Sequence, residues 1–204
     1  MFNALCSKAV PLVQIGHAAP VKYLEQSSLT VIGTSLSFAT MPRQVLQSAL
    51  SRSRISERER RKIEANWADC HQALLQQISS STVDECCPLA SDEALFGGSV
   101  QMELPDASLF YTPKEYAEHI RAILALSDSH RNFRFYPMPE AAFPNTLLLL
   151  TRDLVTVSRI NTPRVIFRIS HPVLCDAFLT YAERIKAQHE VDKAALRSRM
   201  ERYL

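Results

Sequence analysis

Short apolar segments with strand-like alternation are concentrated between residues 132 and 169, and helical patterns flank them on both sides. Alternate side chains of a strand point to opposite faces of a sheet, whereas a helix repeats its faces every three to four residues. The segment 147–150 (LLLL) is apolar at every position, which predicts a central strand covered on each side. The segment 154–158 follows across Arg152 and Asp153, and this two-residue link predicts an antiparallel pair with 147–150.

Capping signals predict where the flanking helices begin. Ser56 and Glu59 have the spacing of a capping box, in which each side chain binds a backbone N–H that the first turn leaves unpaired. The same spacing recurs at Thr112 and Glu115, with Pro113 in the first turn, where a missing N–H costs nothing. The helix after Ser56 carries one apolar stripe with helical spacing, formed by Ile63, Trp67, Cys70 and Leu74.

The last helix is predicted to begin at Pro172, directly after a capping residue. Its apolar positions recur at intervals of three and four, which predicts a single buried face formed by Leu174, Ala177, Phe178, Tyr181 and Ile185. From residue 188 onward the chain is charged, although a few apolar positions keep helical spacing. Two interpretations stay open for this end: a helical extension that docks on the rest of the chain, or a frayed tail.

These patterns together predict an α+β fold in which helices pack on a mainly antiparallel sheet. The predicted strands lie near residues 29–33, 99–104, 132–137, 146–151, 154–159 and 164–169, with a weaker strand pattern at 83–89. The predicted helices lie near residues 42–51, 56–78, 112–130 and 172–200. We expect three parts: an N-terminal segment or linker remnant (1–26), a single α+β domain (27–187) and a charged helical C-terminal extension (188–204).

Composition is that of an ordinary globular chain. The 204 residues are 47% hydrophobic and 22% charged, and the net charge of +2 is too small to indicate nucleic acid as a direct partner. The four glycines form no glycine-rich loop, which disfavours a P-loop or a dinucleotide-binding fold. No signal peptide and no apolar stretch of membrane-spanning length is evident, so we expect a cytoplasmic chain with free thiols and no membrane partner.

Reactive centres are not apparent in the sequence. The five cysteines and six histidines show no metal-ligand spacing, so neither a metal nor a cofactor is predicted. No GxSxG elbow is present, and no cysteine has a neighbouring base that would activate it. The sequence therefore favours a non-catalytic function. Two alternatives stay open: a small enzyme whose site is assembled from scattered polar residues, and a structural adaptor without a small ligand.

Polar side chains on the predicted sheet are the candidate ligand-binding residues. Arginines on an apolar sheet can bind an anionic small molecule through two parallel hydrogen bonds. The candidate set is Arg134, Tyr136, Asn145, Arg159 and Arg168. The alternative is that the arginines project into solvent from an open sheet face and that Asn145 belongs to a turn.

Five segments resemble the effector or sensor region that follows an N-terminal helix-turn-helix in certain transcriptional regulators of Gram-positive anaerobes. They are residues 34–44 (TSLSFATMPRQ), 55–67, 109–126 (LFYTPKEYAEHIRAILAL), 143–150 (FPNTLLLL) and 163–182 (PRVIFRISHPVLCDAFLTYA). The resemblance implies an effector domain in transcription regulation that senses a small-molecule effector and forms a homodimer.

The resemblance also implies that DNA is bound only through a separate domain that is not present in this chain. Residues 1–54 show no pair of short helices joined by a tight turn, and no basic recognition helix. We therefore expect either a fragment of a longer regulator or a stand-alone effector module.

Overall fold

The computed structural model describes residues 13–14, 27–102, 109–143, 145–159 and 166–204, with the backbone alone described at 13–14. Within these residues, seven strands form one sheet: β1 (Val13–Gln14), β2 (Leu29–Ile32), β3 (Val83–Pro88), β4 (Phe133–Met138), β5 (Thr146–Leu150), β6 (Val155–Arg159) and β7 (Ile166–Ile169). The same described part of the chain contains six α-helices: α1 (Arg43–Arg52), α2 (Glu57–Ser80), α3 (Asp92–Phe96), α4 (Pro113–Ser129), α5 (Pro172–Gln188) and α6 (Lys193–Glu201). A 3-10 helix at Phe38–Thr40 lies between β2 and α1.

The sheet is mixed, with strand order β1-β7-β6-β5-β2-β3-β4. Strands β2, β3 and β4 are parallel, whereas β5, β6, β7 and β1 extend the sheet from β2 by antiparallel pairing. The α+β class is confirmed, but the prediction of a mainly antiparallel sheet is wrong. The physical reason is the chain path: helices occupy both connections within β2, β3 and β4, and such crossovers return the chain to the same end of the sheet.

The predicted central hairpin is confirmed. Strand β5 lies between β6 and β2, so it has a neighbour on both sides. Thr151 N donates to the carbonyl of Leu154 at 2.9 Å and closes the two-residue loop of Arg152 and Asp153. The register pairs Leu150 with Val155.

The weaker strand pattern at 83–89 is confirmed. Although Asp84 and Glu85 interrupt its apolar positions, β3 is a full member of the sheet. The strand predicted near 99–104 is reduced, in the described residues, to one isolated bridge between Gln101 and Phe110, and residues 103–104 lie outside them. Of the strand predicted near 164–169, residues 164 and 165 likewise lie outside the described part.

The single helix predicted near 172–200 is two helices. Helix α5 ends at Gln188, and Asp192 caps α6 by accepting hydrogen bonds from the backbone N–H groups of Ala194 and Ala195. Leu196 and Met200 are buried, so the C-terminal extension docks on the fold.

Helices cover both faces of the sheet. The larger hydrophobic cluster joins α1, α2 and α4 to one face through strand residues such as Val83 and Phe133. The smaller cluster joins α5 to the other face. Helix α5 crosses this face obliquely, because Cys175 Sγ lies 3.4 Å from the Ile169 carbonyl on β7 and Lys186 reaches Asp84 on β3.

The predicted buried face of α5 is partly wrong. Ile185 is buried and Phe178 packs against the smaller cluster, as predicted. Leu174, Ala177 and Tyr181 are exposed, and the other buried positions of the helix are Cys175, Ala182 and Lys186. Three of the five predicted positions therefore face solvent.

Candidate functional site

The segment that follows β2, residues 37–41, is held by side chains from three other elements. From α2, Trp67 Nε1 donates to the carbonyl of Met41 at 2.9 Å, and His71 Nδ1 is 2.8 Å from the carbonyl of Ala39. The two rings stack with centroids 5.2 Å apart and planes 13° apart. A carbonyl oxygen only accepts, so Nδ1 of His71 carries a proton and Nε2 is the remaining polar atom of the ring.

From α4, His119 links the same segment to Tyr111. Its Nε2 lies 3.0 Å from Thr40 Oγ1 and its Nδ1 lies 2.7 Å from the Tyr111 hydroxyl. Thr40 Oγ1 donates to the carbonyl of Ser37, so it accepts from Nε2–H, and Nδ1 accepts from Tyr111. Complete burial lowers the pKa of His119 to about 3. His119 is thus a neutral internal link, with no access to a substrate.

From β3, Glu85 completes the set. Its carboxylate is buried and accepts a hydrogen bond from Ser37 N at 3.2 Å. Ligands of open α/β sheets bind at the carboxyl ends of parallel strands, which is where this segment lies. The backbone N–H group of Ser37 already donates to the carboxylate of Glu85, so this end of the strands does not suit a phosphate.

A cavity of about 290 Å³ lies beside the segment and opens to solvent. Its lining comes from the segment itself and the start of α1 (Thr40, Met41, Pro42 and Arg43), from α2 (Trp67 and His71) and from α4 (Ala122 and Leu126). Apart from Arg43 and His71, these groups present mainly hydrocarbon and aromatic surface. Arg43 is exposed, and within the described residues its guanidinium makes no ion pair or hydrogen bond. The cavity therefore suits a small apolar molecule that carries one anionic group.

Of the residues that the sequence proposed for ligand binding, only Arg134 and Tyr136 lie together. They are alternate residues of β4 on the sheet face that α5 covers. Arg134 Nε and Nη2 donate to the two carboxylate oxygens of Asp84, at 2.6 and 2.9 Å. Desolvation raises the pKa of the Tyr136 hydroxyl, which is therefore neutral near pH 7.

The other three candidates lie apart from this pair. Asn145 is exposed and has a φ of 57°, a left-handed backbone conformation typical of a turn. Arg159 is exposed at the end of β6, which β5, β2 and β3 separate from β4. Arg168 precedes Ile169, a member of the cluster under α5, so Arg168 faces the opposite side of the sheet. A shared ligand site for all five stays a prediction.

Arg134 is one of four charged residues that lie together at the end of α5. We call this group, which also contains Asp84, Glu183 and Lys186, the quartet. Asp84 also accepts a hydrogen bond from Lys186 at 2.6 Å, and Lys186 in turn lies 2.6 Å from Glu183. Burial lowers the pKa of Lys186, but the hydrogen bonds to Asp84 and Glu183 outweigh it and hold that pKa above its ordinary value. Two positive and two negative groups cancel. The quartet therefore anchors the end of α5 to the sheet.

The neighbouring thiol is also unreactive. Cys86 is fully buried beside the quartet, and burial raises its pKa to about 12. A thiolate is the reactive form of cysteine, and this one is protonated at neutral pH.

Sequence reasoning missed the cavity residues. Trp67 fits the apolar stripe of α2, and His71 has no ligand-like spacing to another histidine. The signal that was available is the interval of four between the two rings, which places them on the same side of a helix.

No family model, curated protein or solved structure matches the chain. Among the described residues, no group of three or more His, Cys, Asp or Glu side chains is placed to hold a metal ion. In the same part of the chain, no helix combines the length and the apolar character needed to cross a membrane.

Proposed function

We propose that the chain is a non-catalytic effector module of a transcriptional regulator, and that it senses a small molecule bound in the cavity beside Trp67. The observation that carries this proposal is the cavity itself, with an apolar lining, a stacked pair of rings and the exposed cation of Arg43. Ligand sites in proteins have this character, with few polar groups that fix the orientation of a mostly apolar molecule.

The size of the cavity limits the ligand. Typical ligand pockets measure roughly 300–1,000 Å³, so a cavity of about 290 Å³ suits a molecule near the lower limit. A single aromatic ring with a carboxylate meets the requirements for volume, for contact with Trp67 and for pairing with Arg43. Arg43 is preferred as the partner of the carboxylate because its guanidinium can donate two parallel hydrogen bonds.

The non-catalytic part of the proposal is supported by the protonation states of the buried groups. His119 is neutral and enclosed, the thiol of Cys86 is protonated, and the quartet around Asp84 is internally neutralised. An enzyme needs titratable groups that reach a substrate. The regulatory part rests on the resemblance of segment 34–44, which contributes Thr40 to Arg43 to the cavity.

Intrinsic fluorescence tests the binding site directly, because Trp67 is the only tryptophan of the 204 residues. Benzoate and phenylacetate serve as anionic probes and benzyl alcohol as the neutral probe, with excitation selective for tryptophan. We expect saturable changes in emission with the anions. Ala122→Leu, which fills the cavity from α4, should abolish them without changing the circular dichroism.

The role of the cation is tested by Arg43→Gln. This variant should weaken benzoate binding roughly tenfold, since a charge-assisted hydrogen bond contributes about 1.5–3 kcal/mol, and should leave benzyl alcohol unaffected. Arg58→Gln is the matched control, because Arg58 is also exposed but lies on α2. This variant should bind both probes like the unchanged chain. Identical titrations of the Ala122→Leu variant and the unchanged chain would overturn the proposal. The absence of any saturable response would favour the adaptor instead.

A further inference from the structure

One wall of the cavity follows a 3-10 helix that its own backbone holds weakly. The helix spans Phe38–Thr40. The backbone hydrogen bond from Thr40 N to the Ser37 carbonyl is 3.2 Å long, and that from Met41 N to the Phe38 carbonyl is 3.4 Å long. Bonds of this length are weak, and 3-10 helices form poorer hydrogen bonds than α-helices. The position of Thr40 and Met41 in the wall therefore depends on side chains from other elements.

Two of these side chains come from α2 and also line the cavity. Trp67 and His71 each donate to a backbone carbonyl of the segment, at 2.9 and 2.8 Å. A ligand that contacts the two rings touches the same groups that fix the wall. Substitution of either ring would change the ligand contacts and the wall together, so it could not separate the two roles.

A third side chain, His119, holds the segment from α4 without contact with the cavity. It is fully buried, and its Nε2–H donates to Thr40 Oγ1 at 3.0 Å. Its Nδ1 accepts from the Tyr111 hydroxyl at 2.7 Å. A neutral imidazole carries one N–H, so the donor at Nδ1 selects the tautomer that can donate to Thr40.

We propose that His119 is a positioning residue of the cavity, which holds Thr40 so that the wall is in place before a ligand arrives. This inference rests on the proposed function, because it requires a ligand in the cavity. A site that is formed in only a fraction of the molecules loses apparent affinity by that fraction. His119 keeps the fraction high, because it fixes a segment that its own backbone does not.

Benzoate titration of the full chain, followed by the emission of Trp67, tests this role. His119→Leu removes both hydrogen bonds and should weaken benzoate binding roughly tenfold or more, since the wall is then out of place in most molecules. His119→Gln can still donate to Thr40 and accept from Tyr111, so it should bind benzoate like the unchanged chain. A purely structural role would lower stability and leave the benzoate affinity of the folded chain unchanged.

Glu115→Ala is the matched control for general destabilisation. It removes another buried polar group of α4, but the partners of Glu115 are Arg52 and the backbone N–H of Thr112. This variant should lose stability and keep its affinity for benzoate. Circular dichroism establishes that each variant is folded.

Tyr111→Phe keeps the inference testable if His119→Leu does not fold. It removes the donor that selects the tautomer of His119 and should weaken benzoate binding roughly threefold to tenfold, the equivalent of one hydrogen bond. Tyr116→Phe is the same substitution on a hydroxyl that accepts from Ala90 N, and it should leave benzoate binding unchanged.

The possible results separate this inference from the proposed function. Unchanged affinity in His119→Leu, or an equal loss in Glu115→Ala, would refute the positioning role and leave the ligand site standing. If His119→Leu does not fold, unchanged affinity in Tyr111→Phe has the same meaning. An unchanged chain that does not respond to benzoate would overturn the ligand site, and the positioning role with it.

Discussion

Asp84 on β3 and Lys186 on α5 are 102 positions apart in the chain, yet Lys186 Nζ donates to Asp84 Oδ2 at 2.6 Å. Both side chains are buried, with exposures of 4% and 8%. Asp84 also accepts two hydrogen bonds from Arg134, whose side chain is half exposed. One strand carboxylate therefore holds both the edge strand β4 and the end of α5.

The first prediction ranks three substitutions in this quartet by their free energy of unfolding in urea. Asp84→Ala should lose about 3–5 kcal/mol, because it leaves two cations without their shared partner and one of them is buried. Lys186→Met should lose roughly 1–2 kcal/mol, since Arg134 still compensates Asp84. Arg134→Met should lose about 1 kcal/mol or less, because the arginine is largely solvated. A loss for Arg134→Met equal to that for Asp84→Ala would contradict the structural assignment.

The second prediction concerns pH and His119. Its pKa is lowered by burial from 6.5 to about 3, so the unfolded chain binds a proton that the folded chain does not. Stability should therefore be unaffected by this group above pH 6.5 and should fall as the pH drops from 6.5 toward 3. One such group contributes at most about 1.4 kcal/mol per pH unit.

Urea unfolding at several pH values measures this dependence. The variant His119→Gln can donate to Thr40 and accept from Tyr111 without titrating, so it should lack this part of the slope. His130→Gln, the same substitution at the less buried C-cap of α4, is the matched control. If His119→Gln retained the full slope, His119 could not be the neutral link described above.

Local signals were sufficient for much of the fold. The capping boxes at Ser56 and Thr112 begin helices where the sequence predicted them, and β5 lies in the middle of the sheet as its four leucines indicated. Each of these features depends on residues that are near one another in the chain. Strand β3 depends on distant ones, since Asp84 is acceptable in a buried strand only because Lys186 and Arg134 reach it.

The candidate site could not be predicted for the same reason. Its walls come from three segments, around residues 40–43, 67–71 and 122–126, and their approach is set by how α2 and α4 pack beside the 3-10 helix. Sequence spacing within any one segment carries no information about the space between them. The exposed side of α5 is a related case, because spacing identifies an apolar stripe but not which partner covers it.

The third prediction compares two capping boxes that differ in burial. Glu115 accepts from Thr112 N, as a capping box requires, and is also the buried partner of Arg52. Burial raises its pKa, but the hydrogen bond from Arg52 outweighs this and holds the pKa below its ordinary value. Glu115→Ala should lower the free energy of unfolding by about 2–3 kcal/mol, through both the lost cap and the unpaired arginine.

Glu59→Ala is the matched control, because Glu59 forms the same box with Ser56 but is exposed. In urea unfolding, Glu59→Ala should lower the free energy of unfolding by clearly less than Glu115→Ala does. Equal losses would show that the pairing with Arg52 adds nothing to the cap. The double variant Arg52→Ala with Glu115→Ala should be less than additive, since the two residues share one interaction.

The fourth prediction concerns the docking of α6, which combines a buried apolar contact with exposed ion pairs. Met200 is fully buried, while Asp128 pairs with Lys193 at 2.8 Å and with Arg197. Met200→Ala should make local opening of α6 easier by about 2–4 kcal/mol, because a large buried side chain is truncated. Amide hydrogen exchange, read separately for α6 and α4, measures this opening.

Sodium chloride, like Met200→Ala, should make local opening of α6 easier, because it weakens the exposed ion pairs of this helix. In 0.5 M sodium chloride the exposed pairs of Asp128 are screened, so exchange in α6 should accelerate while exchange in α4 changes little. Leu204→Ala, at an exposed terminal residue, should leave both rates unchanged. If α6 and α4 exchanged at one common rate in every variant, α6 would open only with the whole fold. Its docking would then be an inseparable part of the core, and its ion pairs would have no separate role.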